Sequence, residues 1–144
     1  MTPTEQKNVA CFNRFIEEGL NQRKIGEIDS EIVTQNLIME APGVPTIDGR
    51  MKGANIFHFF TTTFVDAFPD LKCSLAHCIA EGDIVAVDVL YEGTHAKEFA
   101  GVPATNKYIK GGELWFMHFN NGKICNLRIC EYGTPLRAML MGND

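Results

Sequence analysis

Two acidic residues, Glu113 and Glu131, each continue a row of large apolar side chains. Glu113 precedes Trp115, Met117 and Phe119 at two-residue steps, and Glu131 follows Leu127 and Ile129 in the same way. Residues two apart in an extended chain share a face, so both carboxyls prolong an apolar surface. A carboxyl in apolar surroundings has its ionised form disfavoured and its pKa raised, which suits general acid-base work near neutral pH. The competing placement is the solvated end of a sheet, where the same two residues would be ordinary surface acids.

The other reactive residue types form no comparable pattern. Cys11, Cys73, Cys78, Cys125 and Cys130 are odd in number and spread through apolar segments, as expected of reduced, buried thiols. Cys73 and Cys78, like Cys125 and Cys130, are five residues apart in strand-like runs, so neither pair can chelate one metal within a regular strand. Cys130 falls on the face opposite the two acids, which argues against a nucleophile. His58 and His77 each stand alone and read as structural histidines. No metal-ligand spacing, phosphate-cradling glycine loop or Ser-His-Asp order is present, so neither a metal nor a cofactor is expected.

The elements that must position the acids come late in the chain. Val9, Phe12, Phe15, Ile16 and Leu20 recur at three- and four-residue steps, predicting an amphipathic helix from Thr4, as N-cap, to about Arg23. A short helix over Ile25 to Val33 and a strand at Leu37 to Glu40 follow, ending in the breaker Ala41-Pro42-Gly43-Val44-Pro45. Gly53 to Ala67 reads as a third helix, apolar around much of its circumference and therefore buried. Beyond Phe68-Pro69-Asp70 the pattern becomes alternating and β-branched. Leu71 to Ala80 and Ile84 to Thr94 flank the turn Glu81-Gly82-Asp83, while Tyr108 to Phe119 and Lys123 to Glu131 flank Asn120-Asn121-Gly122. Within Ile84 to Thr94, Asp88 and Glu92 face outward, and Val85, Val87, Val89 and Tyr91 form the more apolar row. Pro135 to Met141 supplies a last helical turn. Helices followed by an antiparallel meander make an α+β layout.

Register in the last hairpin decides which side chains meet. A two-residue turn at Asn121-Gly122 would set Trp115 opposite Arg128 and His118 opposite Cys125, mixing polar and apolar residues on both faces. A three-residue loop with a bulge at Gly122 sets Met117 opposite Cys125, Trp115 opposite Leu127 and Glu113 opposite Ile129. The second register is the expected one, because it sorts Trp115, Met117, Phe119, Cys125, Leu127 and Ile129 onto one face and Leu114, Phe116, His118, Ile124, Asn126 and Arg128 onto the other.

Composition bounds the partners. In 144 residues, 45% hydrophobic and 22% charged, a single domain can bury roughly 70% of its unfolded surface and still hold a small-molecule pocket. The thirteen Lys and Arg are scattered against eighteen Asp and Glu, for a net charge of -5, so no basic stripe is available to nucleic acid. No run approaches the roughly 20 apolar residues that span a bilayer, and the first residues are unlike a secretory signal. A cytoplasmic protein without a membrane partner is expected. The ten Phe, concentrated on the helices, are the natural cover for the apolar sheet face.

Ala67-Phe68-Pro69-Asp70, Gly82-Asp83, Gly93-Thr94-His95, Glu98 to Thr105 with its Gly101-Val102-Pro103-Ala104-Thr105, and Asn121-Gly122-Lys123-Ile124 occur in an order and spacing that resemble the SnoaL-like polyketide (ester) cyclase branch of the NTF2-like superfamily. The resemblance spans essentially the whole chain. It implies a cone-shaped α+β fold, helices packed on a strongly curved antiparallel sheet, and a deep cofactor-independent pocket. It also implies a homodimer packed through the outer sheet face, here carrying Leu114, Phe116 and Ile124. The family's aldol chemistry uses an Asp six residues after the turn lysine, where this chain has Ile129, and a pocket histidine position corresponds to Trp115. The resemblance therefore points either to a relocated acid, with Glu113 the first candidate beside Glu131 and Glu40, or to a binding protein without catalysis. Glu40 stands near a polar pocket position of the family and equally well as a strand-end acid in solvent. The implied ligand is a hydrophobic, ring-containing carbonyl compound. Its expected walls are Trp115, Met117, Leu127 and Ile129 from the last strands, Met39 from the first, and Phe15, Phe60 and Phe64 from the helices. His95 is expected at the rim or bonded to the loop that follows it.

Overall fold

Thr2 opens the first helix. Its hydroxyl accepts a hydrogen bond from Glu5 N at 3.2 Å while the Glu5 carboxylate accepts one from Thr2 N at 2.8 Å, and Pro3 fills the first helical position. This reciprocal cap satisfies two otherwise orphaned donors, so the helix begins earlier than the Thr4 expected from sequence. In the computed structural model, which describes residues 1–41 and 51–142, helix α1 (Pro3–Arg14) continues into a π-helical stretch, Phe15–Asn21. Gln22 N donates to Glu17 O, five residues back, at 3.0 Å. The wider turn buries Phe15, Ile16, Gly19 and Leu20 together. It also delivers Asn21 to the edge of the sheet, where its amide donates to Cys73 O at 2.9 Å and accepts from Cys73 N at 2.7 Å.

Helix α2 (Ile25–Ile32) leads into β1 (Val33–Glu40), followed by β2 (Met51–Lys52), α3 (Ala54–Ala67), β3 (Lys72–Glu81), β4 (Ile84–Thr94), β5 (Tyr108–Asn120), β6 (Lys123–Glu131) and α4 (Leu136–Leu140). The expected breaker at Pro42, Gly43, Val44 and Pro45 lies outside the described residues. The six strands form one sheet in the order β2-β1-β6-β5-β4-β3. Every neighbouring pair is antiparallel except β1 and β6, which run parallel. Helices against one face of this curved, unclosed sheet make the α+β architecture that the patterning predicts. Among the described residues no helix is long and apolar enough to cross a membrane.

The last hairpin corrects the expected register. Asn120 pairs with Lys123 across a two-residue turn in which Asn121 (φ 50°) and Gly122 (φ 80°) are both left-handed, as the tight turns of twisted hairpins require. The ladder then shifts by one residue: Phe119 pairs with Ile124 but His118 with Asn126, leaving Cys125 as a bulge. From there Met117 faces Leu127, Trp115 faces Ile129, and Glu113 faces Glu131. The three-residue loop is therefore absent, and Glu113 does not oppose Ile129. The chain keeps the favourable Asn-Gly turn and repairs the mixed faces with the bulge, an option that an unbroken ladder does not offer. Ile124 is consequently fully buried, not part of the outer face, and Cys125 takes the intermediate position at the bulge.

Val85, Val87, Val89 and Tyr91 of β4, with Trp115, Met117, Leu127 and Ile129, form the inner face and are at most 5% exposed. Phe12, Phe15 and Phe57 from the helices cover it. Asp88 and Glu92 face away, accepting hydrogen bonds from the Tyr132 and Tyr108 hydroxyls at 2.6 Å each. The cysteines divide differently from expectation. Cys73 is buried, whereas Cys78 on the edge strand β3 and Cys130 on the outer side of β6 are exposed.

The three segments Phe68 to Asp70, Gly93 to His95 and Gly101 to Thr105 interlock. The Asp70 carboxylate accepts from Thr94 N at 2.6 Å and from the Thr94 hydroxyl at 2.7 Å. The His95 ring packs on Phe68 with centroids 5.6 Å apart, and its Nδ1 lies 2.9 Å from Thr105 Oγ1. Gly93 allows this closeness, because a Cβ there would stand 3.2 Å from Asp70 Oδ1 and 3.3 Å from Leu71 Cα. These motif residues therefore anchor the loop that follows β4.

Candidate functional site

Six of the ten phenylalanines sort into two aromatic groups beside an apolar space. Phe12, Phe15 and Trp115 pack with centroids 5.4–5.6 Å apart, and Phe57 joins Phe15 at 5.3 Å. Phe64 meets Phe68, Tyr91 and Phe99 at 5.4, 5.5 and 5.9 Å. Between the groups lies a cavity of about 230 Å³ lined by Phe60 and Phe64 of α3, Tyr91, Phe99, Ala100, Glu113, Glu131 and the segment Pro135, Leu136 and Arg137. A narrow extension of about 20 Å³ runs deeper, past Phe15, Leu20, Cys73, Val89 and Trp115. Tyr91 and Glu113 line both parts, together with Phe60 and Phe64, and so stand at the neck between them.

Alternation along β5 aims Glu113 inward, two residues before Trp115. The Trp115 Nε1–H donates to Glu113 Oε1 at 2.9 Å, which fixes the carboxyl's orientation and leaves Oε2 for another partner. Burial pushes the Glu113 carboxyl from the ordinary 4.5 up to about 7; the Trp115 hydrogen bond opposes the rise and the negative charge of Glu131 adds to it. Both protonation states of this group are therefore within reach at neutral pH, the condition that general acid-base catalysis asks for.

Glu131 opposes Glu113 across the β5–β6 ladder. Its Oε2 accepts a hydrogen bond from Leu136 N at 2.6 Å, so this acid also fastens the start of α4 over the cavity. Arg137, one residue on, donates from Nε to Ala100 O at 3.1 Å and ties α4 to the turn closed by the Phe99–Val102 bridge. Burial and the charges of Glu113 and Glu131 push the Tyr91 phenol upward, keeping it a neutral donor. The Cys73 thiol is likewise pushed up, to about 12, by burial and then by Glu113, which leaves it uncharged and a poor nucleophile.

Of the residues singled out in the sequence, the structure gathers Glu113, Glu131, Phe15, Phe60, Phe64 and Trp115 around this space. Met39, Met117, Leu127 and Ile129 are buried in the core and do not line it. His95 is fully buried in the motif knot and does not line it either. Glu40 sits beside Arg128, its register partner on β6, with Oε2 3.3 Å from Arg128 Nε, on the face away from the cavity. Glu40 and Glu113 are thus on opposite sides of the sheet. Tyr91, Phe99 and Arg137 line the cavity without having been singled out as site residues. Part of the signal for Tyr91 was present, since it ends an inward row of valines; its pairing with Gly111 shows only in the β4–β5 ladder. Among the described residues no group of three His, Cys, Asp or Glu side chains could hold a metal ion.

The outer sheet face carries a second, shallow depression of about 470 Å³ lined by Ile79, Leu114 and Phe116 with His77, Asp88 and Arg128 among others. Ile79, Leu114 and Phe116 are 69%, 49% and 45% exposed, a large apolar area for a solvated sheet.

A family model described as SnoaL-like polyketide cyclase matches residues 10–137. No match is found among curated proteins. Among solved structures, the chain is similar to a protein assigned to the SnoaL-like polyketide cyclases from Jannaschia sp. CCS1, at 20% identity over 98% of this chain and 94% of that one, with a TM-score of 0.84. It is similar to IdmH from Streptomyces antibioticus, also assigned as a polyketide cyclase, at 20% identity over 94% and 98% of the two chains, TM-score 0.76. An NTF2-like protein from Anabaena variabilis ATCC 29413 is 18% identical over 93% and 96%, TM-score 0.73. At these identities the structures establish the NTF2-like fold.

Proposed function

Because the chain belongs to the SnoaL-like polyketide cyclase family, we propose that it is an enzyme that moves protons on a hydrophobic, ring-containing carbonyl compound, with Glu113 as the acid-base group. One observation carries this reading: a carboxyl oriented by Trp115 and raised to about 7 stands at the neck of a mostly apolar cavity, with Glu131 across the ladder from it.

In the ionised form Glu113 takes a proton from a carbon next to the substrate carbonyl. The C–H electron pair becomes the C=C bond of an enolate, and the negative charge moves to the carbonyl oxygen. In a ring closure the enolate carbon then bonds to a second carbonyl carbon of the same molecule, and the alkoxide formed takes the proton back from Glu113. Returning it to carbon gives an isomerisation. The carboxyl ends in its starting state in both cases, and no co-reactant is consumed. The aromatic walls exclude water from the enolate and strengthen the electrostatic interactions around it. Glu131 raises the proton affinity of Glu113 and holds α4 in place.

Ile129 supports a second reading. It occupies the position where the family resemblance places the catalytic Asp, and a hydrocarbon there fits a protein that binds a similar molecule without turning it over. Proton exchange at the α-carbon of 2-tetralone in deuterated buffer, followed by NMR, separates the two. Acceleration by the wild type that is lost in Glu113→Gln supports the enzyme. Binding without acceleration by either protein overturns it in favour of the binding reading.

We propose further that a second copy of the chain covers Ile79, Leu114 and Phe116, giving a homodimer packed through the outer sheet face. The exposed apolar area described above supports this arrangement.

A further inference from the structure

We infer that Tyr91 is the hydrogen-bond donor to the substrate's carbonyl oxygen, and that the compound it holds against Glu113 is compact, with one or two rings. This rests on the acid-base reading of Glu113 and adds the group that would receive the developing charge.

The placement of Tyr91 follows from the β4–β5 ladder. Tyr91 pairs with Gly111, and Val89, the next inward residue on β4, pairs with Glu113. Gly111 and Glu113 share the inner face about 7 Å apart along β5. The phenol leans over Gly111: a Cβ built on that glycine would stand 2.5 Å from Tyr91 Oη and 2.6 Å from Cζ. The hydroxyl therefore occupies the space that a side chain at 111 would fill, one inward position from Glu113. A carbonyl oxygen and its α-carbon fit between a donor on one side and a base on the other. The ring is held by its edge contact with Phe64, which lines the cavity beside it, centroids 5.5 Å apart at 90°.

Tyr91 is 4% exposed, and its hydroxyl makes no hydrogen bond to any of the described residues. The hydroxyl is not sealed off from solvent, so this unpartnered donor on the cavity wall is open to a ligand or an ordered water. Lining both the main cavity and its deep extension, this hydroxyl faces the space a ligand would occupy.

Size limits the occupant. A closed apolar cavity of ~150 Å³ accepts a molecule of benzene size. The 230 Å³ available here is about one and a half times that, room for a second fused ring. The deep end is stopped by the Phe15 and Trp115 rings, against which Phe12 packs, so a body of four fused rings would protrude past Phe99 and Arg137.

Binding of naphthalene, 2-naphthol and 1-hydroxypyrene to the wild type, Tyr91→Phe and Glu113→Gln, measured by fluorescence at pH 8, tests the inference. Tyr91→Phe keeps the ring and removes only the hydroxyl. The expected result is about tenfold weaker binding of 2-naphthol to Tyr91→Phe, an unchanged affinity for naphthalene, and no tight binding of the four-ring compound. Unchanged 2-naphthol affinity, or equal losses for naphthol and naphthalene, would overturn the role of Tyr91. Binding of 1-hydroxypyrene as tight as that of 2-naphthol would overturn the size limit. If Glu113→Gln weakens 2-naphthol binding while Tyr91→Phe does not, the tyrosine assignment fails and the acid-base reading stands. If neither variant distinguishes naphthol from naphthalene, both fail.

Discussion

Replacing Glu113 with Gln preserves the side chain's shape and an acceptor for Trp115 Nε1 while removing the charge. In the unfolded chain this carboxyl ionises near 4.5, and in the folded protein near 7. Between those values the native state holds a proton that the unfolded state has released, so the wild type loses stability as pH rises through the window. The full difference, reached above pH 7, corresponds to about 3 kcal/mol at ~1.4 kcal/mol per tenfold, and relaxation around the carboxylate brings it nearer 2 kcal/mol. Gln pays none of this. Urea unfolding followed by circular dichroism should therefore show the two proteins nearly equal at pH 4 and Glu113→Gln more stable by about 2–3 kcal/mol at pH 8.5, with equal m-values. In thermal melts the same gap is about 4–12 °C for a chain of this size. A stability difference that is the same at both pH values would mean that Glu113 is not desolvated in the fold, and the acid-base argument built on its burial would go with it.

Other perturbations address the parts around it. Trp115→Phe removes the hydrogen bond that holds the Glu113 carboxyl down, so the rising limb of the pH profile for α-proton exchange should move to higher pH. Gly111→Ala forces a Cβ into the Tyr91 ring, and should cost about 1–3 kcal/mol in urea unfolding and abolish 2-naphthol binding. Asn21→Ala strips both hydrogen bonds from the Cys73 backbone and should destabilise by about 1–3 kcal/mol, with faster amide hydrogen exchange at the start of β3. Phe116→Asp puts a charge into the outer apolar face and should shift sedimentation from dimer to monomer without changing the circular dichroism spectrum.

Periodicity made the sheet faces readable. The rows Val85 to Tyr91 and Trp115 to Phe119 turn inward as alternation requires, because burial of one face leaves no freedom in parity. The apolar helix over Ala54 to Ala67 was legible from its helical spacing, although Phe59 on it is 68% exposed; both hairpins were placed, but the second turns on two residues, Asn121 and Gly122, where three were expected. Local devices that change the residue count escaped. The π-helical stretch at Phe15–Asn21 and the bulge at Cys125 each absorb one extra residue, and neither has a residue-type signature as strong as an Asn-Gly turn. Sequence placed Glu113 and Glu131 on the same face but set Glu113 against Ile129, since pairing depends on that bulge. Tyr91 was missed because its partner Gly111 becomes meaningful only when the ladder brings them together. The Gly93-Thr94-His95 motif was visible, yet its work is mechanical: it locks a loop, and His95 spends its Nδ1 on Thr105.

The bulge at Cys125 also determines where the hairpin can change length. Removing residue 125 would make the Phe119–Ile124 and His118–Asn126 rungs consecutive, and every pairing from Asn126 to Glu131 would stay as it is. Inserting or removing one residue between Asn126 and Glu131 would instead swing Glu131 to the outer face and release the start of α4. The turn end of this hairpin is thus free to drift by a residue over generations, while its other end must keep count.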